Sequence, residues 1–302
     1  MTVPSPSRRK ALVKLMAGAG LLTLAPLTAF SAAGLIVSNV SGLYEVEVAR
    51  IVTPTSTEQV VEALHGWPGQ VAVGGGRYSM GGQIAIAGGL HLDMRQMNRL
   101  VWLRPELKRA RVQAGMRWRE LQDLIDPHQL AVKTMQSYSN FSIGGAVSVN
   151  AHGRYVGHGP VGNSLRALQL VLADGSVVEA SRDENAELFC AAIGGYGAVG
   201  VICEVELELA DNLRLERMVR ELSLSDYVRH FEAEVLADPA SVMHNADLLP
   251  PQFDSPVSIT WRRSSKALTE ERRLTPRQGS YAMEQNVIWA LTELPGGALL
   301  RQ

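Results

Sequence analysis

With 302 residues, 46% of them apolar and 20% charged, the chain has the composition of a globular protein of one or two domains, which excludes a disordered segment or a fibre. A formal net charge of −1 leaves no basic excess to neutralise a phosphate backbone, so no nucleic-acid partner is expected. Two cysteines, Cys190 and Cys203, exclude a disulfide framework and a four-cysteine zinc site, and both are read as small core residues.

Ser7-Arg8-Arg9-Lys10 and Lys14 precede an uncharged run from Leu15 to Phe30, and the small residues Ser31-Ala32-Ala33 follow. Positive, apolar, small is the order of a bacterial export signal, and the arginine pair resembles a twin-arginine signal, which carries folded proteins. The rival reading is an uncleaved membrane anchor, because no charge occurs from Leu15 to Tyr44, a run long enough to span a bilayer. Either reading sets residues 1–40 apart from the fold. The protein is then exported or periplasmic, with membrane association through its N-terminus on the second reading.

From Glu45 onward apolar strand-like runs alternate with amphipathic stretches. A strand is predicted over Val46–Val52 and a capped helix over Glu58–Leu64, followed by strands at Val71–Val73, Leu90–Met94, Leu100–Leu103 and Ala110–Gly115. A helix over Arg117–Leu124 comes next. Leu168–Leu172 and Val177–Glu179 flank Ala173-Asp174-Gly175-Ser176, a hairpin signal. A helix over Glu184–Ala192 then leads into a strand over Gly200–Leu209. Beyond Asp211 a second α+β module is predicted, with strands at Leu213–Leu222, Met243–Leu248 and Val257–Trp261 and a helix over Leu224–Leu236.

Two glycine-rich segments stand out, Val73-Gly74-Gly75-Gly76-Arg77-Tyr78-Ser79-Met80-Gly81-Gly82 and Ser142-Ile143-Gly144-Gly145-Ala146-Val147-Ser148-Val149-Asn150-Ala151-His152-Gly153. Glycine lets peptide N–H groups approach an anion closely, and each segment is expected to join strand-like runs, so together they read as a cradle for a phosphate-bearing ligand. Arg77 either pairs a phosphate or solvates the loop edge. Gly195-Tyr196-Gly197-Ala198-Val199-Gly200 matches the G-x-G-x-x-G string, but it follows a helix and opens a strand, the reverse of a dinucleotide fingerprint. It is read instead as a turn whose following strand passes a ligand. His152 and His158 have no carboxylate or third histidine at useful spacing, so no metal site is assigned. No Gly-x-Ser-x-Gly nucleophile motif is present.

The order of elements from Val46 to Leu209 resembles the vanillyl-alcohol-oxidase family, the p-cresol-methylhydroxylase-type (PCMH-type) FAD-binding oxidoreductases. Gly74 to Ser79 is followed by Leu92-Asp93-Met94-x-x-Met97-Asn98, Val112-Gln113-Ala114-Gly115-x-x-Trp118-x-x-Leu121, the Ser142 to Gly153 segment, Leu172-Ala173-Asp174-Gly175, Asp183 to Phe189 and Gly197 to Ile202. The resemblance implies an α+β fold: a PCMH-type FAD-binding domain of two α+β subdomains over residues 45–210, then a partial α+β substrate (cap) domain over residues 211–302. It places the FAD diphosphate on Gly74, Gly75, Gly76, Arg77, Tyr78, Ser79 and Met80. Ser137, Ser142, Gly144, Gly145, Asn150 and His152 supply further contacts, and the backbone of Val201 and Ile202 faces the adenine.

Many members of the family attach FAD through a histidine directly before the loop serine. Tyr78 stands there in this chain, so the resemblance implies noncovalent FAD. Members also continue well past this length, so a truncated or degenerate chain is one expectation and no catalytic base is assigned. The implied activity is oxidation of an alcohol, lactone or sugar-like small molecule by hydride transfer to FAD, with oxygen, a quinone or a cytochrome as electron acceptor. The alternative is a non-catalytic FAD-binding module. The pattern at His152-Gly153 resembles the sugar and aldonolactone oxidases of the family more than its plant cytokinin or alkaloid enzymes.

Overall fold

The computed structural model describes residues 34–249 and 251–274, together with Val287. The expected signal or anchor, apart from its last few residues, lies outside the described residues, as does most of the charged and apolar tail. Among the described residues no helix is long and apolar enough to cross a membrane.

The chain opens with an antiparallel hairpin of β1 (Leu35–Ser38) and β2 (Glu45–Val48). Leu35 to Ser38, set aside above with the N-terminal segment, is thus part of the fold, because alternate apolar residues let Val37 pack with Val48 and Ile84. The single strand expected over Val46–Val52 is broken at Ala49. Its second half, β3 (Arg50–Val52), joins a parallel sheet of order β3-β5-β4, with β4 over Val71–Gly74 and β5 over Leu90–Asp93. Helix α1 (Thr57–His65) connects β3 to β4. Its N-cap Ser56 accepts from the Gln59 N–H, Glu58 complements the dipole, and Val60 and Ala63 turn inward. As the central parallel strand, β5 is buried along its whole length, including the polar His91 and Asp93.

A second, antiparallel sheet runs β10-β9-β11-β7-β6, with β8 (Leu130–Val132) also on β11. Its strands are β6 (Leu100–Arg104), β7 (Arg109–Gln113), β9 (Leu165–Val171), β10 (Val177–Ser181) and β11 (Val201–Asp211). Strand β11 alternates from Cys203 onward: Val205, Leu207 and Leu209 face the core, while Glu204, Glu206 and Glu208 meet cross-strand cations. Arg111 holds Glu204 at 2.6 Å, and Lys133 and Arg166 hold Glu208 at 2.7 and 2.8 Å. The Asp174-Gly175 turn joins β9 to β10 as predicted, with Gly175 at φ +82° and the Asp174 carboxylate accepting from the Ser176 N–H at 2.9 Å. Helix α2 (Trp118–Ile125) buries Trp118, Leu121 and Ile125, one stripe at helical spacing.

Two further helices cover this sheet's surroundings, α3 (Ile143–Ser148) and α4 (Ala186–Ala192). Helix α3 lies within the second glycine segment, to which the sequence assigned no element, and its backbone hydrogen-bonds back on itself. Cys190 on α4 is exposed, against the core reading, whereas Cys203 on β11 is buried and its thiol is pushed up to about 12 by burial.

The C-terminal module is a three-stranded antiparallel sheet, β12 (Leu215–Glu221), β14 (Pro256–Arg263) and β13 (Ser241–Leu248), in the order β12-β14-β13. Helix α5 (Leu224–His230) passes into a π-helical turn over Phe231–Leu236 instead of running as one α-helix. The edge of β13 is met by the loop after α3: the Val156 N–H donates to the Val242 carbonyl at 3.0 Å and the His244 N–H to the Arg154 carbonyl at 2.7 Å.

Candidate cofactor site

Strand β4 delivers the first glycine loop, and Ser142 ties it to the second. The Gly76 N–H donates to Ser142 Oγ at 3.1 Å, and a Cβ at Gly75 would overlap that oxygen. Only glycine at position 75 allows this approach. Ser142 immediately precedes α3 but makes no capping bond to its own helix, since its hydroxyl serves the loop instead. Helix α3 is short and poor in helix formers, and what fixes it is tertiary contact. The Gly144 N–H donates to the Ala114 carbonyl at 2.7 Å, and a Cβ at Gly144 would stand 2.7 Å from the Ala114 Cβ.

Behind the loop lies an ionic cluster. Arg77, at φ +62°, places its guanidinium 2.9 Å from Asp93, which also binds Arg95 at 2.6 Å. One end of the Arg77 guanidinium is thus held inside the protein, because the β4–β5 register sets Gly74 opposite Asp93. Burial alone pushes the Asp93 carboxyl up, but the hydrogen bonds and charges of Arg95, with the charge of Arg77, hold it below the usual carboxylate range. His91 lies next to this pair. Its Nδ1–H donates to the Ile84 carbonyl at 2.9 Å, and burial together with the charge of Arg77 lowers its pKa, so the ring is neutral.

An aromatic cluster closes the other flank. Tyr78 makes edge contacts with Tyr138 and Phe141 at centroid distances of 5.4 and 4.9 Å. Burial and a hydrogen bond to Tyr138 raise the Tyr78 phenol, while the hydrogen bonds from Asn140 and Tyr78 lower that of Tyr138.

Between these features runs a cleft of about 220 Å³ that opens to solvent. Gly75, Gly76, Arg77, Tyr78, Ser79, Ser142, Gly144, Gly145, Val201 and Ile202 all line it. The other expected contacts lie elsewhere. Gly74 packs on His91, Met80 is 69% exposed, and Ser137 and His152 are exposed. Asn150, at φ +45°, spends its side chain accepting from the Gly162 N–H at 3.0 Å, which makes it a loop brace. His158 bonds the Lys133 carbonyl through Nδ1 at 3.0 Å. Sequence reasoning missed Gln136, which lines the cleft and accepts from Trp118 Nε1 at 3.0 Å, and Tyr196, which lines it from the β11 turn. No local pattern marks Gln136, since its partner lies 18 residues away.

The matching family model, described as an FAD binding domain, covers residues 48–181. Bovine (Bos taurus) L-gulonolactone oxidase is 30% identical over 60% of this chain and 42% of its own length. The mitochondrial L-galactono-1,4-lactone dehydrogenase of Brassica oleracea is 31% identical over 59% of this chain and 30% of its own, and decaprenylphosphoryl-beta-D-ribose oxidase of Mycolicibacterium smegmatis is 30% identical over 54% and 36%. Residues 48–181 thus match an FAD binding domain, and the relatives are similar to this chain over that region and its flanks. FAD is the chain's cofactor. The matched stretches span 30–42% of the length of these relatives.

The cleft fits that cofactor. Glycines 75, 76, 144, 145, 197 and 200 line its wall, where a long ligand needs close backbone approach, and Ile84, Met94 and Ile202 give apolar surface for ring systems. Arg77 Nε, a buried donor with no partner among the described residues, belongs to the same lining. A phosphate oxygen is the kind of acceptor such a donor requires.

Proposed function

We propose that this chain is of the PCMH type and provides the FAD-binding part of an oxidoreductase that oxidises a sugar-derived lactone or a related alcohol, with FAD held noncovalently. The substrate class is supported by the relatives, which are named as oxidases or dehydrogenases of gulonolactone and galactonolactone. The Ser142-braced double loop is the observation that carries the cofactor assignment to particular residues. Bound FAD supplies the two-electron acceptor for a substrate C–H bond. The protein's part is to bind and orient: Gly75 and Ser79 offer backbone to the diphosphate, Gly76 is held by Ser142, Arg77 Nε donates to the diphosphate, and the backbone of Val201 and Ile202 flanks the adenine. Tyr78 fills the place of the attachment histidine with a protonated phenol engaged by Tyr138. We further propose that the protein is exported, since the N-terminal charge order is that of an export signal.

The test is spectroscopic. Purified protein should show flavin absorbance, release all of it into the supernatant on acid precipitation, and bleach anaerobically with L-gulono-1,4-lactone or L-galactono-1,4-lactone. Colour retained in the precipitate would overturn noncovalent binding. A flavin that neither lactone bleaches would overturn the substrate class.

A further inference from the structure

We propose that the tip of the β1–β2 hairpin, with the adjoining Met80 loop, is a lipid-docking surface that seats the FAD domain on a bilayer. Leu43 is the most exposed large apolar side chain among the described residues, at 78%, and Val40 and Tyr44 beside it are also exposed. Burying such side chains in a bilayer interface is favourable, whereas a water-facing turn gains nothing from them. Two hydrogen bonds tie this tip to the cofactor loop: the Val40 N–H donates to the Arg77 carbonyl at 2.9 Å, and Asn39 Nδ2 donates to the Ser79 carbonyl at 2.6 Å. Met80, exposed in turn, follows directly in that loop.

The occupant is argued from charge. Leu35 to Tyr44 carry no charged residue, nor do Tyr78 to Leu90, and the two stretches pack together through Val37 and Ile84. A protein partner would be expected to meet complementary charges at the rim of such a patch, whereas a lipid phase requires their absence. The uncharged stretch also continues back along the chain to Leu15, preceded by Arg8, Arg9, Lys10 and Lys14, the sign of charge that anionic headgroups attract. Glu45, opposite Ser38 on the rung next to the turn, and Glu47, opposite Ile36, are exposed and set the depth, so the turn enters the interface while the strands remain in water.

The test uses the full FAD-loaded chain in a Cys190→Ser background, with Leu43→Cys carrying an NBD fluorophore; buried Cys203 stays unlabelled. Vesicles of phosphatidylcholine and phosphatidylglycerol should raise its emission several-fold, and a lipid-borne spin label should quench it. The same fluorophore at Leu107→Cys, in the charged turn between β6 and β7, should not respond. A Leu43 fluorophore that stays water-like on protein floating with vesicles overturns the proposal, as does a failure to float. Emission that rises with protein concentration in the absence of lipid would assign the surface to a second copy of the chain and also overturn it.

Discussion

Gly75→Ala isolates the contact that joins the two glycine segments. Gly75 is not at positive φ, so alanine meets no backbone penalty there. Its Cβ would overlap Ser142 Oγ and stand 3.3 Å from Ser142 Cβ. The hydroxyl must rotate away and release the Gly76 N–H, which costs about 1–3 kcal/mol for a donor left unpaired in a crowded loop. Ser142→Ala breaks the same bond and should cost a similar amount. In the double variant the bond is lost once and the remaining Cβ–Cβ contact needs a shift of a few tenths of an ångström, so its stability should match that of Ser142→Ala alone. The coupling energy is then about 1–3 kcal/mol, inside the range for residues in direct contact. Urea unfolding of the FAD-loaded proteins reads the four corners of the cycle, and FAD fluorescence quenching reads the affinity. Additive losses from the two single changes would refute the reasoning, because Gly75 would then be required for something other than its approach to Ser142.

Tyr78→Phe removes the donor to Tyr138 while keeping the ring packing on Phe141; it should destabilise by about 0.5–1.5 kcal/mol in urea, leaving FAD acid-extractable. His91 has a depressed folded pKa, so between that value and its unfolded pKa of about 6.5 the unfolded state binds more protons and stability falls as the solution is acidified. His91→Gln should flatten the urea midpoint against pH below about pH 6.5, and an unchanged slope would show that the ring is not held neutral. The depressed Asp93 carboxyl acts lower down: its contribution is present above the unfolded value of about 3.9 and is lost as pH falls through the folded value. Ellman's reagent should titrate Cys190 alone in native protein, with Cys203 reacting only after unfolding.

The sequence was most legible where local physics and tertiary structure agree. Ser56 and Glu58 announce α1, and Asp174-Gly175 announces the β9–β10 turn. The first glycine loop was legible because a buried strand feeds it, whereas α3 was not. Its glycines and valines disfavour a helix, and the Gly144–Ala114 contact that enforces one joins residues far apart in sequence. The ion pair of Arg77 was hidden for the same reason: Asp93 becomes its neighbour only when β4 pairs with β5. At Ser137 the error was one position, since the cleft wall takes Gln136.

If FAD is held without a covalent bond, as proposed, its affinity depends on how much of the site is ordered before the ligand arrives. Here the ordering comes from bonds within the protein. Asp93 and His91 on the central strand of the parallel sheet fix Arg77 and the loop base, while Ser142, two residues before the Gly144 that bonds Ala114 at the end of β7, fixes the loop crest. The first glycine loop is therefore pinned by both sheets, through groups that do not themselves depend on the cofactor. The ligand needs only to supply an acceptor for Arg77 Nε, and the ordering cost falls on folding rather than on binding.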